Sequence, residues 1–409
     1  MRNASVLISG VGIAGATLAY WLAEQGFKPT LVERSPRLRT SGYAIDFWGK
    51  GYDIAERMGI IPDLKLEGCD LEELRLVDAH GRRVGGFGAQ VFRTLTDGRY
   101  LSIPRGELAK ALFSKISDRH EIIFGDSIFG IEQTGEGVLV TFGNRKPRRF
   151  DLLVGADGLH SIVRKLAFGG AEMSETFLGY MAAAFEVEGY RPRDERTYVS
   201  FSAPGKQVAR FALRNDRTVF LFVFAMDVPP FAADIRMHKS ILHAQFDDAG
   251  WECRRILALL DKCDDLYFDR VSQIKIDRWT RGRVALVGDA AFCPSLLAGQ
   301  GAALAMVAAY MLAGELGKSA AHPEIGMQRY ERMLRPFITE KQTAAARFAR
   351  SLAPRTHAGL ILRNQITRAF AIPSVAKLML NSIIADRIDL PTYPTRFQRV
   401  LVDISDCVR

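Results

Sequence analysis

The sequence predicts an α/β protein in which a Rossmann-like dinucleotide-binding unit is joined to an antiparallel β-sheet domain and a helical C-terminal region. Three observations carry that prediction. The chain opens with an apolar run, SVLIS, that passes through GVGIAG into an apolar helix and then a second strand. Its middle part is a succession of aromatic and β-branched runs separated by polar turns. From Gly299 onward the pattern is helical almost to the end.

Size and composition bound the reading. A chain of 409 residues exceeds one small core, so two or three subdomains are expected. With 48% hydrophobic and 25% charged residues it has the make-up of an ordinary globular protein. The formal net charge of +9 admits nucleic acid, a membrane surface or anionic small molecules. The basic residues are scattered among acids and no recognition module is visible, so a phosphorylated cofactor and a basic surface account for the charge without nucleic acid. Five cysteines, an odd number without CxxC spacing, argue against a disulfide framework and a zinc site. His238 and His243 are five apart and do not share a helix face, so no metal is expected. No signal peptide is visible, and the longest strongly apolar run, Val219 to Met226, is far short of a bilayer span. A cytoplasmic protein without integral membrane association is expected, as a monomer or homodimer.

Taken in order, residues 5–9 read as a buried strand, Ala14 to Gln25 as a helix closed by Gly26, and Thr30 to Glu33 as the next strand. Leu101 to Ser117 carries Pro104 at a helix start, and residues 121–142 alternate as strands around GEG. Phe150 to Val154 is a further buried strand, ending in GADG. AAAFEV, RTYVSFSA, VARFAL and TVFLFVFA follow as antiparallel strands, interrupted by a helical pattern over 235–262. Arg283 to Val287 returns to a strand, and the helices after it are expected to break at Pro323, Pro336, Pro354 and Pro373. The expected domains are 1–75, 100–175 and 276–340 for the cofactor, 76–99 and 176–275 for the substrate, and 341–409 as a C-terminal helical region.

Gly10, Gly12 and Gly15 carry the first chemistry. Gly10 permits the tight strand-to-helix turn, Gly12 lets a pyrophosphate approach the backbone, and Gly15 allows close helix–strand packing. Phosphates then sit at the helix N-terminus, where free N–H groups and the helix dipole favour negative charge. Glu33, eighteen positions past Gly15, can accept hydrogen bonds from both ribose hydroxyls, and its charge would repel a 2′-phosphate. The turn residue Ala14 and Arg34, next to Glu33, complete this part of the candidate cofactor site. FAD and NAD both fit at this stage; NADP does not.

Two further segments separate them. GADGLHSIVR (Gly155 to Arg164) and GRVALVGDAAFCPSLLAGQG (Gly282 to Gly301) resemble the DG and GD motifs of the class A flavoprotein aromatic hydroxylases. The three motifs stand in that family's order and spacing and span residues 5 to about 315. SGYAIDFWGKG, GWECRRIL and ADRIDLPTYP are most similar to the tetracycline-inactivating monooxygenases within it. The resemblance implies a p-hydroxybenzoate hydroxylase-like fold and noncovalent FAD. It also implies NADPH or NADH as co-substrate, with dioxygen delivered through a C4a-hydroperoxyflavin to an aromatic or polyketide-like molecule. The flavin then carries the chemistry, and no catalytic side chain is implied.

Residue by residue, the resemblance implies that Gly288 and Asp289 meet the ribityl–pyrophosphate region and that Asp157 holds loops serving FAD and the nicotinamide dinucleotide. It implies that Arg105 contacts the flavin side of the cofactor and that Asp46 lies near the flavin. Gly299, Gly301 and Ala302 lead into a helix whose N-terminus would favour the reduced, anionic ring. Phe292 and Ala302 replace a histidine and an asparagine common in the family, which puts flavin geometry in doubt at Ala302. For the substrate, Arg210, Phe211, Phe222, Phe224 and Pro294 are the candidates, with Phe185, Phe201, Phe220 and Arg214 as further ones. Two other readings share the motifs: a flavin-dependent reductase of isoprenoid-type substrates, and a flavoprotein that sequesters an aromatic ligand. The halogenase segment GWxWxIP is missing.

Overall fold

In the computed structural model, residues 3–40, 42–169, 175–230 and 234–394 are described. A six-stranded sheet forms the first domain, in the order Thr280–Arg281, Val284–Leu286, Leu152–Gly155, Ser5–Ser9, Lys28–Glu33, Glu121–Phe124. Apart from the short antiparallel edge pair Thr280–Arg281 with Val284–Leu286, the strands are parallel. Parallel strands buried on both faces need unbroken apolar runs, and SVLIS and LLVG supply them. The helices Ile13–Glu24 and Gly301–Lys318 cover this sheet and are buried nearly all round, so neither shows an amphipathic stripe.

A seven-stranded sheet forms the second domain, in the order Tyr267–Ile274, Glu175–Glu188, Arg217–Ala225, Lys206–Ala212, Thr197–Ala203, Glu73–Val77, Arg83–Gly88. It is antiparallel except where Glu73–Val77 runs parallel to Thr197–Ala203. Glu73–Val77, which spans positions 75 and 76, therefore pairs within this second sheet. The pleat assigns the aromatic residues to a face. Phe185, Phe220, Phe222 and Phe224 share one side and pack with Leu242, Phe246, Ile256 and Leu257 from the outer helices Ile235–Phe246 and Cys253–Leu260. The opposite side, toward the first domain, carries Tyr180, Ala182 and Val223.

The long helix Pro323–Leu352 does not break at Pro336. Pro336 is on the solvent side of the helix, where water replaces the lost hydrogen bond, so no break is required. Pro373 does begin a new helix, Pro373–Ile384, after His357–Ala369. Segment 385–394 then folds back as a strap: Tyr310 Oη donates to Pro391 O at 2.9 Å, and Tyr393 Oη donates to Glu315 Oε1 at 2.8 Å.

Candidate active site

One groove of about 650 Å³ runs from the first strand–helix turn to the start of the helix Gly301–Lys318, beneath the second sheet. Gly10, Gly12, Ala14, Glu33, Arg34, Arg105, Asp157, Asp289, Gly299, Gly301 and Ala302 all line it. Motifs up to 292 residues apart in sequence therefore converge on one cavity.

The turn is built by steric demand. Gly10 adopts φ +103°, and a Cβ at Gly15 would fall 2.0 Å from the Gly10 carbonyl oxygen. At Gly12, by contrast, a Cβ would meet nothing within 4 Å, so the groove is open above it. The helix that follows has no side-chain N-cap and no acid in its first turn. Its first N–H groups are left for an outside anion, which is what a pyrophosphate requires.

Glu33 holds this loop and faces the groove. Its Oε2 accepts from Val11 N at 3.1 Å and its Oε1 from Ser35 N at 3.0 Å. Asp157 is a tie between strand and helix. It accepts from Ser161 Oγ, from Ile162 N at 2.9 Å, from Val163 N at 3.2 Å, and from Ser9 Oγ at 3.3 Å. Burial pushes its carboxyl up, and those donors pull it back. Helix capping is therefore part of what Asp157 does, alongside its place in the groove wall.

Asp289 differs. Its short helix Asp289–Phe292 has no side-chain cap bond. Burial raises its carboxyl, opposed first by the Arg105 guanidinium and then by the Cys293 thiol. Such a group suits ligand hydroxyls better than it suits an empty groove. Gly288, at φ +65°, turns the chain from strand into that helix. An Asp289→Asn chain is accordingly expected to be more stable than the parent without cofactor at neutral pH, by about 1 kcal/mol. The charged form is disfavoured in the fold, so the penalty is absent below the ordinary value of 3.8 and grows as pH rises through the raised one. FAD affinity should fall by about tenfold. Melting of the apo chain against pH, with an FAD titration, checks both.

Several contributors had no local signal in the sequence. Tyr43 and Tyr267 line the groove beside Arg105, their ring centroids 5.7 Å apart, and burial lifts Tyr43 to about 12. His160 lies 3.1 Å from the Asp269 carboxylate at the groove wall. Arg164, the last residue of the DG segment, is buried and donates to Ala290 O at 2.9 Å and Leu159 O at 2.6 Å. It fastens the DG loop to the GD loop, a role its place in the motif could have suggested.

The expected substrate residues are not brought together. Phe222 and Phe224 point to the outer helices, away from the groove, because strand alternation puts them on the far face. Arg210 shares that face, 3% exposed, paired with Asp194 and with Glu252 at 3.0 Å. Phe211 is on the inner face but is consumed in a core with Leu71, Ala89 and Val219. Pro294 is buried, its carbonyl accepting from Gln273 Nε2 at 3.0 Å. Arg214 donates to Gly68 O at 3.1 Å. Asp46 is not among the groove-lining residues: its neighbours Tyr43 and Ile45 are, while its own carboxyl accepts from Tyr100 Oη.

A Rossmann-like sheet, an uncapped phosphate turn and one elongated groove roofed by a second sheet define a dinucleotide-dependent enzyme of the flavoprotein kind. Comparison with known proteins completes the assignment. A family described as "FAD binding domain" matches residues 3–342. A flavin-dependent monooxygenase from Legionella longbeachae is 32% identical, covering 96% of this chain and 99% of that protein. The FAD-dependent monooxygenase asL4 of Sarocladium schorii is 30% identical, covering 91% and 93%. The crystal structure of the tetracycline destructase Tet(51) superposes with a TM-score of 0.82 at 31% identity, covering 96% of this chain and all of that one. The chain belongs to the FAD-binding-domain family and is a flavin-dependent monooxygenase.

Among the described residues, no helix is long and apolar enough to cross a membrane.

Proposed function

We propose that this monooxygenase hydroxylates an aromatic or polyketide-like small molecule, using NADPH or NADH and dioxygen. The observation that carries the reading is one continuous groove: it begins at the Gly12 turn, where the phosphates would sit, and reaches Gly299–Ala302 and the edge strand Tyr267–Ile274 of the second sheet. The bound flavin supplies electron transfer from the nicotinamide to dioxygen and delivery of one oxygen atom.

The chain's own residues do the rest. Asp289 and Glu33 engage ribityl and ribose hydroxyls. The uncapped N-terminus of Gly301–Lys318 favours negative charge on the ring, and Arg105 adds a cation on the same wall. Tyr43 and Tyr267, which line the groove, would help keep the ring end dry. Asp46, half-buried and accepting from Tyr100 Oη, would support the segment that carries Tyr43 and Ile45 into the groove.

The substrate class rests on this enclosure and on the likeness to Tet(51), a tetracycline destructase. The experiment is a panel of phenols, quinones and tetracyclines screened for stimulated NADPH and NADH oxidation, with mass spectrometry of the products. Stimulation about tenfold or more above the idle rate, with a gain of one oxygen atom, is the expected result. Substrate-dependent oxidation that yields no oxygenated product from any panel member would defeat the reading.

A further inference from the structure

The C-terminal helix pair turns large apolar side chains outward. In His357–Ala369 the inner positions Leu360 and Thr367 are buried, and the backbone of Asn364 lies against Gly85 of the second sheet. Ile361 and Leu362, turned away from that inner face, are each 62% exposed. Ile372 between the helices, and Leu378 and Met379 in Pro373–Ile384, are exposed as well, Leu378 at 83%. A single exposed leucine needs no explanation, but five large apolar side chains exposed within residues 361–379 do.

The longer stretch that contains these two helices is charged in one sense, with Arg363, Arg368 and Lys377 in the helices themselves. Residues 342–385 contain Arg347, Arg350, Arg355, Arg363, Arg368 and Lys377 and no Asp or Glu. Setting these six aside leaves 49 of the 55 Lys and Arg against 46 Asp and Glu in the rest of the chain. Six of the nine net positive charges therefore belong to this one segment. Arg347, Arg368 and Lys377 are exposed, and so is Arg355, which meets Asp227 at 3.0 Å.

We propose that this helix pair is a peripheral docking face for an anionic lipid surface. The aliphatic row enters the headgroup layer, and the cations stay at the level of the phosphates. A second copy of the chain fits less well, because a two-fold interface would set the same cationic helices against themselves. A nucleic acid would use the cations and leave the aliphatic row in water. Docking also has a consequence for the groove. Ala376 and Ile384 pack with Trp48 and Tyr100, and the Trp48 ring lies against Gly299 at the ring end of the cavity. The bound bilayer would stand one layer of side chains from that end, where a lipid-soluble molecule can enter. The proposal concerns binding alone and holds whichever substrate the enzyme uses.

The test is co-sedimentation of the full FAD-loaded chain with phosphatidylcholine vesicles, with and without phosphatidylglycerol. Binding is expected only with phosphatidylglycerol, and it should be lost as salt rises from about 0.05 to about 0.5 M. The double variant Arg368→Ser/Lys377→Ser should weaken partitioning about 30-fold. Ile361→Ser/Leu378→Ser should weaken it about tenfold, with flavin spectrum and melting unchanged in both. No binding at low salt overturns the proposal, as does equal binding to both lipids or wild-type binding by both variants. It is also overturned if light scattering shows a dimer that the aliphatic variant dissolves while vesicles bind nothing. Tighter retention on DNA than on anionic vesicles would overturn it too.

Discussion

A Gly12→Asp chain is expected to fold slightly more stably than the parent and to lose FAD almost completely. The backbone at Gly12 is extended, with φ −77° and ψ −171°, so any residue can adopt it. A Cβ there meets nothing within 4 Å. Position 12 is also the N-cap of a helix that has no side-chain cap, and aspartate is among the best N-cap residues. The apo chain should therefore gain about 1 kcal/mol. The new carboxylate would occupy the same free N–H groups that receive the pyrophosphate and would repel it. Like charges brought together in this way cost several kcal/mol, so FAD should bind at least about 100-fold more weakly. The opposite signs of the two effects separate cofactor exclusion from misfolding. Gly15→Ala is the control, since its Cβ would overlap the Gly10 carbonyl oxygen and should damage the fold itself. Apo melting and fluorescence titration with FAD measure both quantities. Wild-type affinity in Gly12→Asp would mean that the pyrophosphate does not sit at this turn.

That contrast between Gly12 and Gly15 shows what was legible in the sequence. The turn, Glu33, Asp157 and Asp289 are read by local chemistry: a glycine where backbone must approach backbone, or an acid at the end of a strand. Each of these falls in the groove. The substrate wall was misjudged for a physical reason. TVFLFVFA is apolar on both faces, because the second sheet is covered by helices on one side and by the first domain on the other. Alternation then gives no clue to which phenylalanines look inward, and the larger ones, Phe220, Phe222 and Phe224, went to the outer helices. Arg210 was likewise opaque, since its partners Asp194 and Glu252 come from distant turns. Tyr43 and Tyr267 meet only through the docking of two domains, 224 positions apart, and no pattern in either neighbourhood announces it.

The C-terminal strap is the extreme case of such long-range dependence, and Asp386→Ala is expected to have the largest effect on stability. Asp386 and Lys341 are both nearly buried, with Nζ 2.8 Å from Oδ1, although that contact is out of line for a regular hydrogen bond. Oδ2 also accepts from Lys50 N at 2.8 Å, 336 positions away, and Lys341 Nζ donates to Ala385 O at 3.1 Å. One carboxylate thus joins the Trp48–Gly49 corner, the helix Pro323–Leu352 and the end of Pro373–Ile384. Removing it leaves a buried ammonium without its counter-charge and a backbone N–H without its acceptor, at a cost of about 3–5 kcal/mol. Lys341→Met alone should cost a similar amount by stranding the carboxylate. The pair Lys341→Met/Asp386→Leu should recover more than half of the loss, since two apolar groups of similar volume carry no desolvation penalty. Urea denaturation of the FAD-loaded chains, with Asp386→Leu alone as the fourth corner, completes the double-mutant cycle. Additive losses would mean that the two charges act separately and that the strap is held by Tyr310 and Tyr393 instead.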